Sequence, residues 1–394
     1  MNNKYLNLIA CALLGCGAAH AAPAPYFITD IGVLELPTPG AADSMALDIN
    51  DKGEIVGWFK TVNGVKHAFL YRQGLMEDIT FGTFSQAEAH GINNYTQVVG
   101  IMGAPEEPMV HGFYWDNGAI SFLDELAPAT CATGAAAHAI NDAGLIAGEH
   151  LQGCGGLSAH PAKWSNYQSP WKPLFPSYVV SIASAFAHNV NNGIGIIVGD
   201  DMQGILGGTG GWYWQYGTIR NIPKTVGPPP EFYYPTLRAF GVSSAYGRIV
   251  GEADLLPHGL PPQPGDLVTR AFFWDGVAST SEGLPILGDG KEAGAREIDD
   301  QEFIAGWADR WIKPANAFYK RAVVWNQGKI TMLPLPAGID DIFGRVPTVC
   351  EAKAVNNMND AGIVQVVGYC QFAGRTEAML WTLKTAQVSL ASKS

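Results

Sequence analysis

This chain carries little charge, and less of it positive than negative. Charged residues make up 15% of its 394, with 24 lysines and arginines against 36 acids and a formal net charge of −12. Such a balance leaves no basic stripe to track a phosphate backbone, which excludes nucleic acid and anionic membrane surfaces as partners. After the first fourteen residues no apolar run is long enough to cross a bilayer, so no transmembrane segment is expected. Helix-period stretches are absent too. No Gly-x-Ser-x-Gly elbow, His-Glu-x-x-His, Cys-x-x-Cys or phosphate loop occurs, so the familiar hydrolase, zinc and nucleotide chemistries have no support and neither cofactor nor metal is expected.

Glycine (47) and proline (25) are abundant, as many short strands and turns require. The stretch 46–57, Ala-Leu-Asp-Ile-Asn-Asp-Lys-Gly-Glu-Ile-Val-Gly, reads as a hairpin with a tight Asx/Gly turn. It recurs from Ala89, Ala137 and Ala187, and in eroded form from Ala239, Ala295 and near residue 355. Each copy is followed by a strand ending in an aromatic: Tyr71, Trp115, Trp164, Trp214, Trp274, Trp325 and Trp381. A fourth apolar run usually follows. The closing glycines 57, 100, 148, 199, 251, 306 and 368 are spaced by 43, 48, 51, 52, 55 and 62 residues. Four short strands repeating near every fifty residues predict an all-β fold, a seven-bladed β-propeller of four-stranded antiparallel blades in one domain over 22–394.

Residues 1–21 read as a secretion signal, with Ala19-His20-Ala21 as the cleavage site; Leu13-Leu14-Gly15-Cys16 offers a lipoprotein box as the alternative. The protein is therefore expected to be secreted or periplasmic, soluble or anchored through Cys16, and a monomer. The run 27–31 is expected to close the ring on the last blade, with Gln387–Leu390 as its competitor. Turns joining first to second and third to fourth strands are short. The other connections carry insertions, Ser165–Lys172, Pro223–Thr236, Ala253–Leu267, Asp309–Lys313 and Pro334–Glu351, and such a loop-rich face usually binds.

The Ala-x-x-Ile-Asn-x-x-Gly-x-Ile-Val-Gly unit, with His67-Ala68-Phe69-Leu70-Tyr71 and a downstream Asp-Ile, resembles the extracellular HAF repeat family over nearly the whole mature chain. Later units depart from it, with Arg270, Arg321 and Glu377 where His67 and His111 stand. The resemblance implies an exported repeat protein of propeller type and no settled activity.

The Asx turns supply too few carboxylates for calcium and are read as structural. The strand-three aromatics are read as core, and His67, His111 and His160 as bonding neighbouring backbone. Two sets remain as ligand-binding candidates. His90, His138 and His188 occupy the residue after alanine in three successive units, where other units carry Leu47, Phe240, Arg296 and, by this alignment, Asn356. Trp171, Tyr233 and Tyr234 are aromatics outside the repeat frame. These residues fit binding of a polysaccharide or a cell-surface protein. The rival is a lyase-like enzyme using the histidines as acid and base and Arg296 against a uronate carboxylate. In an oxidising compartment the four mature cysteines are expected to pair within units, Cys131–Cys154 and Cys350–Cys370.

Overall fold

A computed structural model describes residues 26–36, 43–80, 86–103, 110–123, 133–152, 158–175, 185–201, 210–223, 225–226, 232–257, 268–336 and 347–385. Apart from one 3-10 turn at Lys313–Ala315, the regular elements there are strands. The first sheet runs Ser44–Ile49, Ile55–Lys60, Lys66–Arg72, Leu75–Asp78, each antiparallel to the last. Three more four-stranded sheets begin at the inner strands Gln86–Ile92, Thr133–Ile140 and Ala185–Val190. A five-stranded sheet is built on Phe232–Val242. The last is eight-stranded: two antiparallel sets, with inner strands Ala293–Ile298 and Val349–Val355, joined by the single parallel pair Lys320 and Val349. In the second of these sets the outermost strand is Tyr26–Val33, antiparallel to Arg375–Thr385.

The inner strands touch in chain order, and Val349–Val355 returns to Ser44–Ile49, so the sheets stand in a closed, propeller-like ring. The core lies between neighbours rather than within them. Ile92, Phe113 and Trp115 of the second sheet pack on Val56 and Leu70 of the first, and Ala354 and Val367 pack on Ile55 and Phe69 across the closure. Of the closing aromatics, Trp164, Trp325 and Trp381 are fully buried at these contacts and Trp115 and Trp274 nearly so, whereas Tyr71 and Trp214 are half-buried and Trp212, two residues before Trp214, fills that gap instead.

The hairpin turns follow from their asparagines. Asn50 Oδ1 accepts from Lys52 N (3.1 Å) and Glu54 N (3.0 Å), and Gly53 takes φ +77°. Asn50 Nδ2 then donates to Asn93 O of the next sheet at 3.0 Å, Asn93 to Asn141 O at 3.1 Å, Asn141 to Asn191 O at 3.0 Å, and Asn356 back to Asn50 O at 3.3 Å. In these units the residue that builds the turn also ties it to its neighbour, forming a belt at one end of the ring.

Several expectations need correction. The last unit starts earlier than residue 355: Ala352 pairs with Gly368, and Asn359–Gly362 is a second turn at the tip of a longer hairpin. Asn356 Oδ1 there accepts from Gln365 N, nine residues on, where Asn50 reaches only four. Ser165–Lys172 joins the third strand to the outer one, Lys172–Pro173, and so belongs to the tight-turn side. Asp309–Ile312 is strand, paired with Ala317–Lys320, and Phe232–Thr236 likewise pairs with Asp254–Pro257; both extend hairpins rather than form loops.

Candidate functional site

In every inner strand the pairing slips just after the repeat's alanine, and Phe232–Val242 slips a second time between Tyr233 and Thr236. Ala137 pairs with Gly148 and Ala139 with Ala147, so His138 faces no partner residue. The same bulge leaves Leu47, His90, His188, Phe240, Arg296 and Lys353 unpaired in the other units. A bulge re-aims the extra side chain, and here it turns the bulged residues toward the ring's axis. The closing glycine is its counterpart. A Cβ on Gly148 would meet Ala136 O at 1.9 Å, and Gly57, Gly100, Gly199, Gly251, Gly306 and Gly368 face the matching carbonyl at 1.9 to 2.1 Å.

The seven bulged side chains line a central cavity of about 380 Å³. Asp48, Asn189 and Glu297, one residue further along their strands, also line it, as do Asp51, Asn94, Asn192 and Asn357 of the tight turns. His90, His138, His188 and Arg296 are thus brought together, as the sequence suggested. The described lining reaches the tight-turn rim rather than the loop-rich face. Asn356 lines the cavity too, but the slot itself is filled by Lys353, which sequence reasoning missed because it aligned the last unit on Asn359–Gly362. The Ala352-x-x-Val355-Asn356 spacing was the signal that would have found it.

Each basic group in this layer is matched from behind. His90 Nδ1 and His138 Nδ1 lie 2.9 Å apart with stacked rings, His138 Nε2 meets Glu149 Oε2 at 2.6 Å, and His90 Nε2 lies 3.6 Å from Glu88. Burial depresses His90, outweighing the pull of Glu88. Burial acts the same way on His138, but the charge and hydrogen bond of Glu149 overcome it and raise its pKa. Of the two facing nitrogens, one therefore carries the proton and the other accepts it. His188 Nε2 bonds Asp200 Oδ1 at 2.5 Å. Arg296 Nε pairs with Glu351, and Arg296 Nη1 stands 2.7 Å from Glu252 Oε1 at an angle too poor for a hydrogen bond. Lys353 Nζ reaches Glu351 at 3.2 Å. Burial alone would raise Glu351, yet Arg296 and Lys353 hold it down at about 2.

The next layer is acidic. Burial pushes Asp48 up to about 7 against hydrogen bonds from Ile92 N and Ile49 N, each 2.8 Å. Burial, with the charge of Asp48 added, raises Glu297 well above the usual carboxyl range although it accepts from Ile298 N and Asn189 Nδ2. Among the described residues no group of three or more His, Cys, Asp or Glu could hold a metal ion.

The other candidates lie elsewhere. Trp171 stacks on His150 at 4.2 Å and does not line the cavity. Tyr233 and Tyr234 lie in the extended strand Phe232–Val242; their side chains fall outside the described residues. His67 bonds the Asp78 carboxylate at 2.6 Å rather than backbone, which explains why His-Ala-Phe comes with a downstream Asp-Ile. Cys350 and Cys370 face each other within paired strands and form a disulfide. Cys131, Cys154, Cys16 and the signal at 1–21 lie outside the described residues.

An all-β molecule of antiparallel sheets in a propeller-like ring is the class this structure defines. No family model and no curated protein matches the chain. Solved structures do resemble it. The β-propeller domain of the Trilobed protease from Pyrococcus furiosus is 11% identical, with 90% of this chain and 99% of that one covered at a TM-score of 0.46. YCF48 bound to D1 peptide is 12% identical, with 94% and 98% covered at 0.47. The GH93 alpha-L-arabinofuranosidase of Fusarium graminearum with arabinobiose is 8% identical, with 89% and 96% covered at 0.35.

Proposed function

We propose that this is an exported seven-bladed propeller of the HAF repeat type that binds a carbohydrate in its central channel. Seven inner strands in closed order and seven buried clusters, one at each junction, support the blade count, with the eight-stranded sheet counted as two blades. The buried disulfide fits an oxidising compartment.

The observation that carries the ligand reading is the polar, carboxylate-backed cavity lining. Its ionisable residues are the acids Asp48, Asp51, Glu88, Glu297 and Asp299 against the fixed cations Arg296 and Lys353, with three histidines between. Hydroxyl groups both donate and accept, so a neutral sugar can satisfy imidazoles, carboxyls and asparagines together, while Trp58 and Phe240 add apolar lining. A uronate would find its matching charge already taken: the forked cation that a lyase would aim at its carboxylate is held by Glu351 and Glu252, and Lys353 by Glu351.

Chromatography on immobilised neutral and uronate-containing polysaccharides, with absorbance followed for unsaturated uronates, tests this. Retention on a neutral polymer without new absorbance is expected. Retention only on uronates, or turnover of them, would overturn it.

A further inference from the structure

Two members of the belt of turn residues are not asparagine: Ser243 in the fifth unit, whose Oγ accepts from Arg248 N at 3.1 Å, and Asp299 in the sixth. In four of the other units Asn50, Asn93, Asn141 and Asn191 spend Oδ1 on their own turn and Nδ2 on a carbonyl of the next. Asn356 does the same, closing the ring onto Asn50 O. In the sixth unit the position is Asp299. Its Oδ1 behaves as the asparagines' does, accepting from Gln301 N at 2.9 Å and Phe303 N at 2.7 Å. Its Oδ2, which replaces the amide nitrogen, is buried without a partner, and the residue is 3% exposed.

The junction it belongs to is built like the others. Asp300 N donates to Asn357 Oδ1 at 3.0 Å, as Asp51 N does to Asn94 Oδ1 at 2.9 Å. By that equivalence Asp299 Oδ2 is directed at the Asn356 carbonyl, and two oxygen acceptors cannot satisfy each other there. We propose that Asp299 is a neutral carboxylic acid whose hydroxyl donates to Asn356 O, a proton-dependent latch between the sixth and seventh turns of the belt. The charged groups around it agree. Asp300 in its own turn and Asp51 across the closure are both acidic. Glu302, also in that turn, is already paired with Arg248 of the fifth sheet at 3.1 Å. Burial first, and the charges of Asp300 and Asp51 after it, push Asp299 up to about 8.

The sign of the effect follows. A carboxyl raised in the folded state is no burden below its unfolded value of about 3.9, and it costs progressively more stability as pH rises from there toward the folded value. Above about 8 the latch opens, beside the Asn356-to-Asn50 closure and the rim of the channel.

Asp299→Asn restores the amide of the other units and removes the proton requirement. With the full chain, the variant's melting temperature should exceed the native protein's at pH 8, and that excess should shrink steadily toward pH 4. The native-minus-variant infrared spectrum at pH 6 should show the carbonyl stretch of a protonated carboxylic acid, lost above pH 8. An excess that grows as pH falls, a carboxylate band at pH 6, or an Asn variant that does not fold would each overturn the proposal.

Discussion

At the scale of single residues, the imidazoles of the channel are held by partners rather than left free. Glu149 Oε2 binds His138 while Glu149 Oε1 accepts from Ala187 N of the next sheet at 2.9 Å, so one carboxylate serves both the channel and the blade contact. His138→Ala would strand that buried oxygen and should lower stability by about 1–3 kcal/mol, measured by urea unfolding at pH 7. Glu149→Gln should bring the His138 pKa below its native value, read from imidazole shifts in an NMR titration. Because the folded His138 titrates above the usual imidazole, its contribution to stability is complete below about pH 6.5 and fades as pH rises through the folded value. Denaturation midpoints of the native protein and of Glu149→Gln should therefore converge on the alkaline side. That these histidines meet was legible from their shared slot. Their carboxylate partners were harder to see: Glu149 and Asp200 follow the closing glycines 148 and 199, as Glu252 follows 251, but the other units put Trp58, Ile101, Trp307 and Tyr369 there, and Glu88 instead precedes its alanine.

At the scale of the strand, the bulge is what makes a site out of a repeat. Ala46 and Ile49 are both buried three residues apart, which strict alternation forbids and one extra residue allows. The closing glycine is the other half of this device. Gly148→Ala would drive a Cβ into the Ala136 carbonyl and should cost about 3 kcal/mol or more, the upper end of overpacking. Gly118→Ala, at φ +87° with nothing near its Cβ, should cost only about 1–2 kcal/mol. Equal losses in urea unfolding would remove the steric explanation. The glycines were legible in the sequence as punctuation; their cause was not, since register is a property of two strands and neither strand carries it alone.

At the scale of the molecule, the ring is held by contacts between distant parts of the chain. Without Tyr26–Val33 the strand Arg375–Thr385 becomes a bare edge, and Tyr26 is lost from its place against Phe303 at 5.2 Å. A chain starting after residue 36 should aggregate or lose a single cooperative transition, checked by light scattering and calorimetry. The Cys350–Cys370 bridge closes a 20-residue hairpin in the last unit. Replacing both cysteines with serine should cost about 3 kcal/mol by the loop-entropy account, seen as a lower urea midpoint.

The sequence by itself determined the strand order, the turns and the aromatic core, because each is set by residues within one unit of about fifty. It also placed the histidines in one frame, since duplicated units repeat their geometry. Only the tertiary structure decided that Lys353 joins them, that Arg296 is already neutralised, that Asp48 and Glu297 are buried side by side, and that Asp299 is buried in the belt. Those outcomes depend on side chains from different units meeting at an axis, where burial and neighbouring charge reset their chemistry across separations that local spacing does not encode.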